Sequence, residues 1–137
     1  MSVTALHVLA VALGGALGGV ARFWVSGVVA RRFGERFPWG TLVVNVSGAA
    51  LIGAIAGLVL APGSHSIGQP TVWAVLVVGI LGSYTTVSSF SLVTLALART
   101  GNARRAVANV VLSLGLCLSA VAIGMLLAST VTAAVPA

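Results

Sequence analysis

The sequence predicts an all-α membrane protein of four transmembrane helices, the third broken mid-membrane. Three observations carry this. First, 59% of the 137 residues are hydrophobic and 6% are charged, with a mean hydropathy of +1.18, whereas a soluble domain carries roughly 25% charged residues. Second, apolar stretches recur at about 6–30, 39–61, 71–98 and 106–129, each long enough to cross a hydrocarbon core of ~30 Å. Third, a polar run, Gly82-Ser-Tyr-Thr-Thr-Val-Ser-Ser-Phe-Ser91, interrupts the third stretch near its middle. With no strong internal repeat, residues 1–137 read as a single four-span domain.

Span one contains Gly14, Gly15, Gly18 and Gly19, two overlapping small-xxx-small patterns that let another helix approach closely. Arg22 and Trp24 near its later part read as interfacial, the arginine snorkelling toward headgroups. Attraction of anions to a vestibule is the alternative for Arg22. No basic segment precedes the first apolar stretch, so a cleavable leader is not expected. The following connection holds Glu35, the only carboxylate side chain, beside arginines, where an ordinary loop ion pair is expected.

Span two opens on Trp39-Gly-Thr-Leu-Val-Val-Asn45, with Thr41 and Asn45 four residues apart on one helical face. An amide at that depth needs partners. It is either a structural bond between helices, worth ~0.6 kcal/mol in a membrane, or a donor to a passing anion. Gly48, Gly53 and Gly57 read as packing positions, and Pro62–Pro70 as a short polar turn.

In span three, Gly82 loosens the backbone, while the serines and threonines offer main-chain groups competing partners. A break near 82–87 follows, although a continuous helix whose hydroxyls bond back to their own carbonyls would satisfy the same residues. Span four carries Asn109, Ser113 and Cys117 at four-residue spacing, a polar stripe on one face that could equally bond neighbouring helices. The tail from Thr130 to Ala137 is expected to fray.

Charge is distributed one-sidedly. Arg31, Arg32 and Arg36 lie between spans one and two, and Arg99, Arg104 and Arg105 between spans three and four. Four spans put both connections on one side, and the opposite side has no Arg or Lys. By the positive-inside rule both basic connections are cytoplasmic and both termini outside. The net charge of +6 is therefore topological, and no nucleic-acid partner is expected.

Several function classes lack their chemistry. There is no nucleophile elbow, carboxylate pair, Cys/His pair or phosphate-cradling loop, so an enzyme is not expected. The lone Cys117 forms no internal disulfide, and the isolated His7 and His65 suggest no metal cluster. Proton-coupled cation export needs a carboxylate within the membrane, and none of the four spans contains one. Hydroxyls, amides and the electropositive edges of aromatic rings remain, a set better suited to a small anion.

Three segments resemble the CrcB (Fluc) fluoride channels, in that family's order: Gly-Gly-Ala-Leu-Gly-Gly-Val-Ala-Arg22, Trp39-Gly-Thr-Leu-Val-Val-Asn45-Val-Ser-Gly48 and Gly82-Ser-Tyr-Thr-Thr-Val-Ser-Ser-Phe-Ser91. The resemblance implies passive fluoride export by an antiparallel dimer with two pores, in the plasma membrane of a prokaryote. It implies a structural sodium ion at the dimer centre, held by the main-chain carbonyls of Gly82 and Thr85 of both subunits. Asn45 would be the pore amide and Phe90 the second of two family phenylalanines whose ring edges meet fluoride. Ser113 would continue the polar track, with Asn109 and Cys117 one turn to either side.

Two departures stand out: Val87 occupies the first phenylalanine position, and Ser83 replaces a usual glycine. Together with the one-sided arginines, Val87 suggests pairing with an oppositely oriented homologous subunit that supplies the missing ring. A four-span multidrug or cation exporter and a non-transporting assembly subunit are the alternatives from other classes.

Overall fold

The computed structural model describes residues 3–59 and 70–133. Its helices are α1 (Val3–Phe33), α2 (Trp39–Val59), α3 (Pro70–Trp73), a π-helical segment (Ala74–Leu81), α4 (Gly82–Tyr84), α5 (Ser88–Arg99) and α6 (Ala103–Ala133). Four stretches are long and apolar enough to cross a membrane: Ala5–Phe33, Trp39–Val59, Ala74–Arg99 and Ala103–Thr132. The protein is a multi-pass helical bundle with a bend in the middle of its third span.

The outer helices run longer than their apolar cores suggest, α1 reaching Phe33 and α6 Ala133. A helix satisfies its own backbone, so it can continue past the hydrocarbon until a residue stops it. The tail expected to fray is helical through Ala133, and residues 134–137 lie outside the described set. So does most of the Pro62–Pro70 turn, including His65.

Tight packing depends on missing side chains. A Cβ on Gly18 would run into the Ile80 carbonyl, and one on Gly14 would lie 2.9 Å from the Val75 carbonyl oxygen. These glycines let α1 lie directly on the π-helical segment. Its wider i→i+5 winding survives at its end, where the Gly82 N–H reaches the Val77 carbonyl. No sequence pattern announced this winding. Between α2 and α6, a Cβ on Gly53 would meet the Val121 carbonyl and one on Gly124 the Ala50 carbonyl. The two backbones thus touch, and α2 is the most buried of the four spans.

The hairpin between α5 and α6 is short and fully bonded. Gly101, at φ +79, takes the left-handed position that glycine fills without strain. The Asn102 N–H bonds the Leu97 carbonyl at 2.9 Å and the Gly101 N–H the Ala98 carbonyl at 3.3 Å, the paired closure of a Schellman end. Both basic connections lie at one end of the bundle, since Arg105 Nη1 donates to the Arg36 carbonyl at 3.3 Å. Glu35 departs from expectation: among the described residues it makes no ion pair. It is exposed, and an exposed pair gains little against the entropy of fixing two side chains.

Candidate functional site

The break is narrower than the polar run. Gly82 keeps helical angles, φ −62 and ψ −33, and the chain leaves the helix at Thr85, with φ −79 and ψ 162. The cause lies in α2. Asn45 Nδ2 donates to the Thr86 carbonyl at 2.9 Å, and the Thr86 N–H donates to Asn45 Oδ1 at 2.8 Å. One amide side chain thus satisfies both main-chain groups of the residue at the interruption. The alternative of a continuous, back-bonded helix is excluded, although Thr85 does bond back, Oγ1 to the Leu81 carbonyl at 3.0 Å.

Thr86 then starts the next helix. Its hydroxyl accepts the Ser89 N–H at 3.2 Å and also bonds the Ser88 and Ser89 hydroxyls at 3.1 and 3.2 Å, bracing the first turn of α5 from the residue before its N-cap, Val87. Opposite the break, a Cβ on Gly48 would overlap Thr85 Cγ2, so only glycine lets the bend sit this close to α2. The Tyr84 hydroxyl is 2.9 Å from Ser47 Oγ, a second tie between these elements.

Two cavities flank the break. The larger, about 370 Å³, is lined by Asn45, Thr85, Thr86, Val87, Phe90, Ser113 and Cys117 with Ala49, Ile52, Leu114 and Val121. It brings together five of the six residues singled out for the pathway: Asn45, Val87, Phe90, Ser113 and Cys117. One hydrogen of the Asn45 amide goes to Thr86; the other has no acceptor among the described residues, and neither does the Ser113 hydroxyl make a hydrogen bond there. The sixth, Asn109, does not line this cavity. It is 1% exposed, and its Nδ2 bonds Thr94 Oγ1 at 2.8 Å.

The smaller cavity, about 260 Å³, is more polar. Arg22, Ser26, Thr41, Thr86 and Ser89 line it with Gly19, Phe23 and Val44. Thr86 belongs to both linings, so the interruption forms a wall between the two spaces. Arg22 corrects the interfacial reading. Its guanidinium is turned inward, with Nη1 3.4 Å from the Thr85 carbonyl oxygen, because the break offers a carbonyl freed from helical bonding. Sequence inspection missed this partner, and also Thr94, which lies outside the polar run.

Among the described residues there is no grouping of three His, Cys, Asp or Glu that could hold a metal. Main-chain oxygens are the remaining donors. The Gly82 carbonyl accepts no hydrogen bond among the described residues, since the Thr86 N–H goes to Asn45 instead. The Thr85 carbonyl takes only the long Arg22 contact. Two neutral oxygens on one turn suit a hard cation of low charge, though they are fewer than such an ion takes.

The family model described as "CrcB-like protein, Camphor Resistance (CrcB)" matches residues 9–125. The chain belongs to this family. A CrcB relative from Bradyrhizobium diazoefficiens, named fluoride-specific ion channel FluC 2, is 55% identical over 121 residues, 88% of each chain. The protein of the same name from Rhodopseudomonas palustris is 58% identical over 116 residues, 85% of this chain and 88% of that one. The fluoride-specific ion channel FluC of Opitutus terrae is 54% identical over 116 residues, 85% of this chain and 87% of that one. The break, the clamping amide and both cavities all lie within the span matched by the CrcB family model.

Proposed function

We propose that this CrcB protein is a fluoride-selective channel subunit that lets fluoride leave the cell passively, and that it is not an enzyme. The supporting observation is a cavity within the bundle lined by unspent donors and the Phe90 side chain but no carboxylate. Leaving water costs fluoride its hydration shell, so a pathway must replace those hydrogen bonds. The free hydrogen of the Asn45 amide and the Ser113 hydroxyl are the replacements, and Phe90 presents the electropositive edge of its ring. Val87 and Cys117 complete the lining without donating strongly. Arg22, with Ser26, Thr41 and Ser89, forms a positively charged approach on the other side of Thr86. A fixed positive charge in a low-dielectric cleft raises the local anion concentration. The absence of a carboxylate at the site argues against the cation exporter.

The finer reading is an antiparallel dimer around a sodium ion. The Gly82 and Thr85 carbonyls would hold the ion, a second subunit would complete the set, and the ion would offset the cost of carbonyls freed inside the membrane. A large apolar surface is left for lipid and a partner; Val87 alone is 77% exposed. The one-sided arginines favour a single orientation, with both basic connections cytoplasmic and both termini outside the plasma membrane. A subunit so biased pairs with an oppositely oriented homologue, which supplies the ring that Val87 lacks.

Fluoride efflux from liposomes, with chloride as the control, tests the reading. Fluoride flux is expected from the assembled protein, alone or with its paired homologue, and Phe90→Ile is expected to abolish it with assembly intact. Absence of flux from a correctly assembled protein removes the assignment.

A further inference from the structure

We infer that Asn109 and Thr94 are positioning residues that hold Phe90 and Ser113 in register across the cavity; this rests on the channel reading above. Asn109 Nδ2 donates to Thr94 Oγ1 at 2.8 Å, and Thr94 Oγ1 donates to the Phe90 carbonyl at 2.6 Å. A threonine hydroxyl has one hydrogen, so the two bonds run in one direction, from α6 through Thr94 to the backbone of Phe90. Asn109 Oδ1 is buried with no partner among the described residues. Burying an acceptor unpaired is costly, and what the side chain gives in return is one N–H bond, to Thr94.

The geometry of the hairpin makes that bond a register pin. The helices α5 and α6 are antiparallel and joined by the closed turn at Gly101 and Asn102. Phe90 lies one helical turn further from this turn than Thr94, and Ser113 one helical turn further than Asn109. Fixing Thr94 against Asn109 therefore fixes Phe90 against Ser113, and both line the larger cavity. Beside Thr94, α6 presents the small and aliphatic Ala106, Val107, Val110 and Val111, none of whose side chains can make a directional bond. A directional bond in lipid resists axial sliding, because no water can replace the lost partner.

The role is distinct from touching the ion, since Asn109 and Thr94 line neither cavity beside the break. The test is efflux from liposomes of fluoride and of chloride, read as a rate and as a ratio. Thr94→Val and Asn109→Leu are each expected to lower the fluoride rate on the order of tenfold and to raise the chloride-to-fluoride ratio. The double variant is expected to be no worse than Thr94→Val, because that variant already removes the bond that Asn109 makes. Thr94→Ser keeps the hydroxyl and is expected to restore rate and ratio. Where Thr94→Val does not assemble, Thr94→Ala removes the hydroxyl without added bulk and is read the same way.

An unchanged ratio in the hydroxyl-free variants would overturn the inference, as would additive losses in the double variant. Loss of assembly in both hydroxyl-free variants while Thr94→Ser assembles would also overturn it, by showing a structural role alone. A wild-type protein that assembles and carries no fluoride defeats the channel reading instead, so the two failures are separable.

Discussion

Asn45 and Thr86, 41 residues apart, are joined by two hydrogen bonds of 2.9 and 2.8 Å that together replace the helical bonding Thr86 loses at the break. The amide is thus structural and, through its second hydrogen, available to the cavity. The two readings of an intramembrane asparagine, clamp and donor, are compatible in one side chain.

This duality predicts an unequal outcome for two substitutions. Asn45→Leu strands both the N–H and the carbonyl of Thr86, at a cost of about 1–3 kcal/mol each, and is expected to reduce yield and thermal stability in detergent. Asn45→Asp keeps the acceptor for the Thr86 N–H but removes the donors and adds negative charge. It is expected to assemble better than Asn45→Leu yet carry essentially no fluoride in liposome efflux.

The close approach of Gly48 to Thr85 gives a compensating pair. Gly48→Ala pushes a methyl group into Thr85 Cγ2, an overpacking penalty of about 1–3 kcal/mol that is expected to shift the break and cut flux. Thr85→Ser removes that methyl group and retains the hydroxyl bonded to the Leu81 carbonyl. The double variant Gly48→Ala/Thr85→Ser is expected to recover stability and flux, measured by thermal melting and efflux side by side.

In the proposed function Arg22 acts electrostatically beside the fluoride pathway. Neutralising it in Arg22→Gln is expected to lower the initial fluoride rate several-fold at low ionic strength. The deficit should shrink as salt is raised, because charges separated by more than ~10 Å are screened at 0.1 M. A deficit independent of salt would assign Arg22 to holding the Thr85 carbonyl alone.

On the proposed pairing, Val87 stands where a partner subunit supplies a ring. In liposomes containing only this chain, weak fluoride flux is expected, and Val87→Phe is expected to increase it by supplying an electropositive ring edge. On the same proposed pairing, co-reconstitution with an oppositely oriented homologous subunit is expected to give the same increase without any substitution.

Much was legible from residue order because partition between lipid and water acts locally. Four apolar stretches, an interruption in the third and arginines confined to two connections each follow from where single side chains can reside. The fold and the candidacy of Asn45 were accessible on that basis, whereas Phe90 and the pathway role of Ser113 came from the resemblance to the CrcB channels. Partner choice was not. Nothing near Arg22 in the chain indicates that it turns inward to a carbonyl 63 residues away, and nothing near Asn109 points to Thr94. The break was placed too broadly for the same reason, since Asn45 on another helix selects Thr86 as the residue left outside helical bonding. Hydropathy specifies which segments cross the membrane. Which main-chain groups go free, and which distant donor finds them, depends on how closely backbones approach at Gly18, Gly48 and Gly53, a property of the assembled bundle.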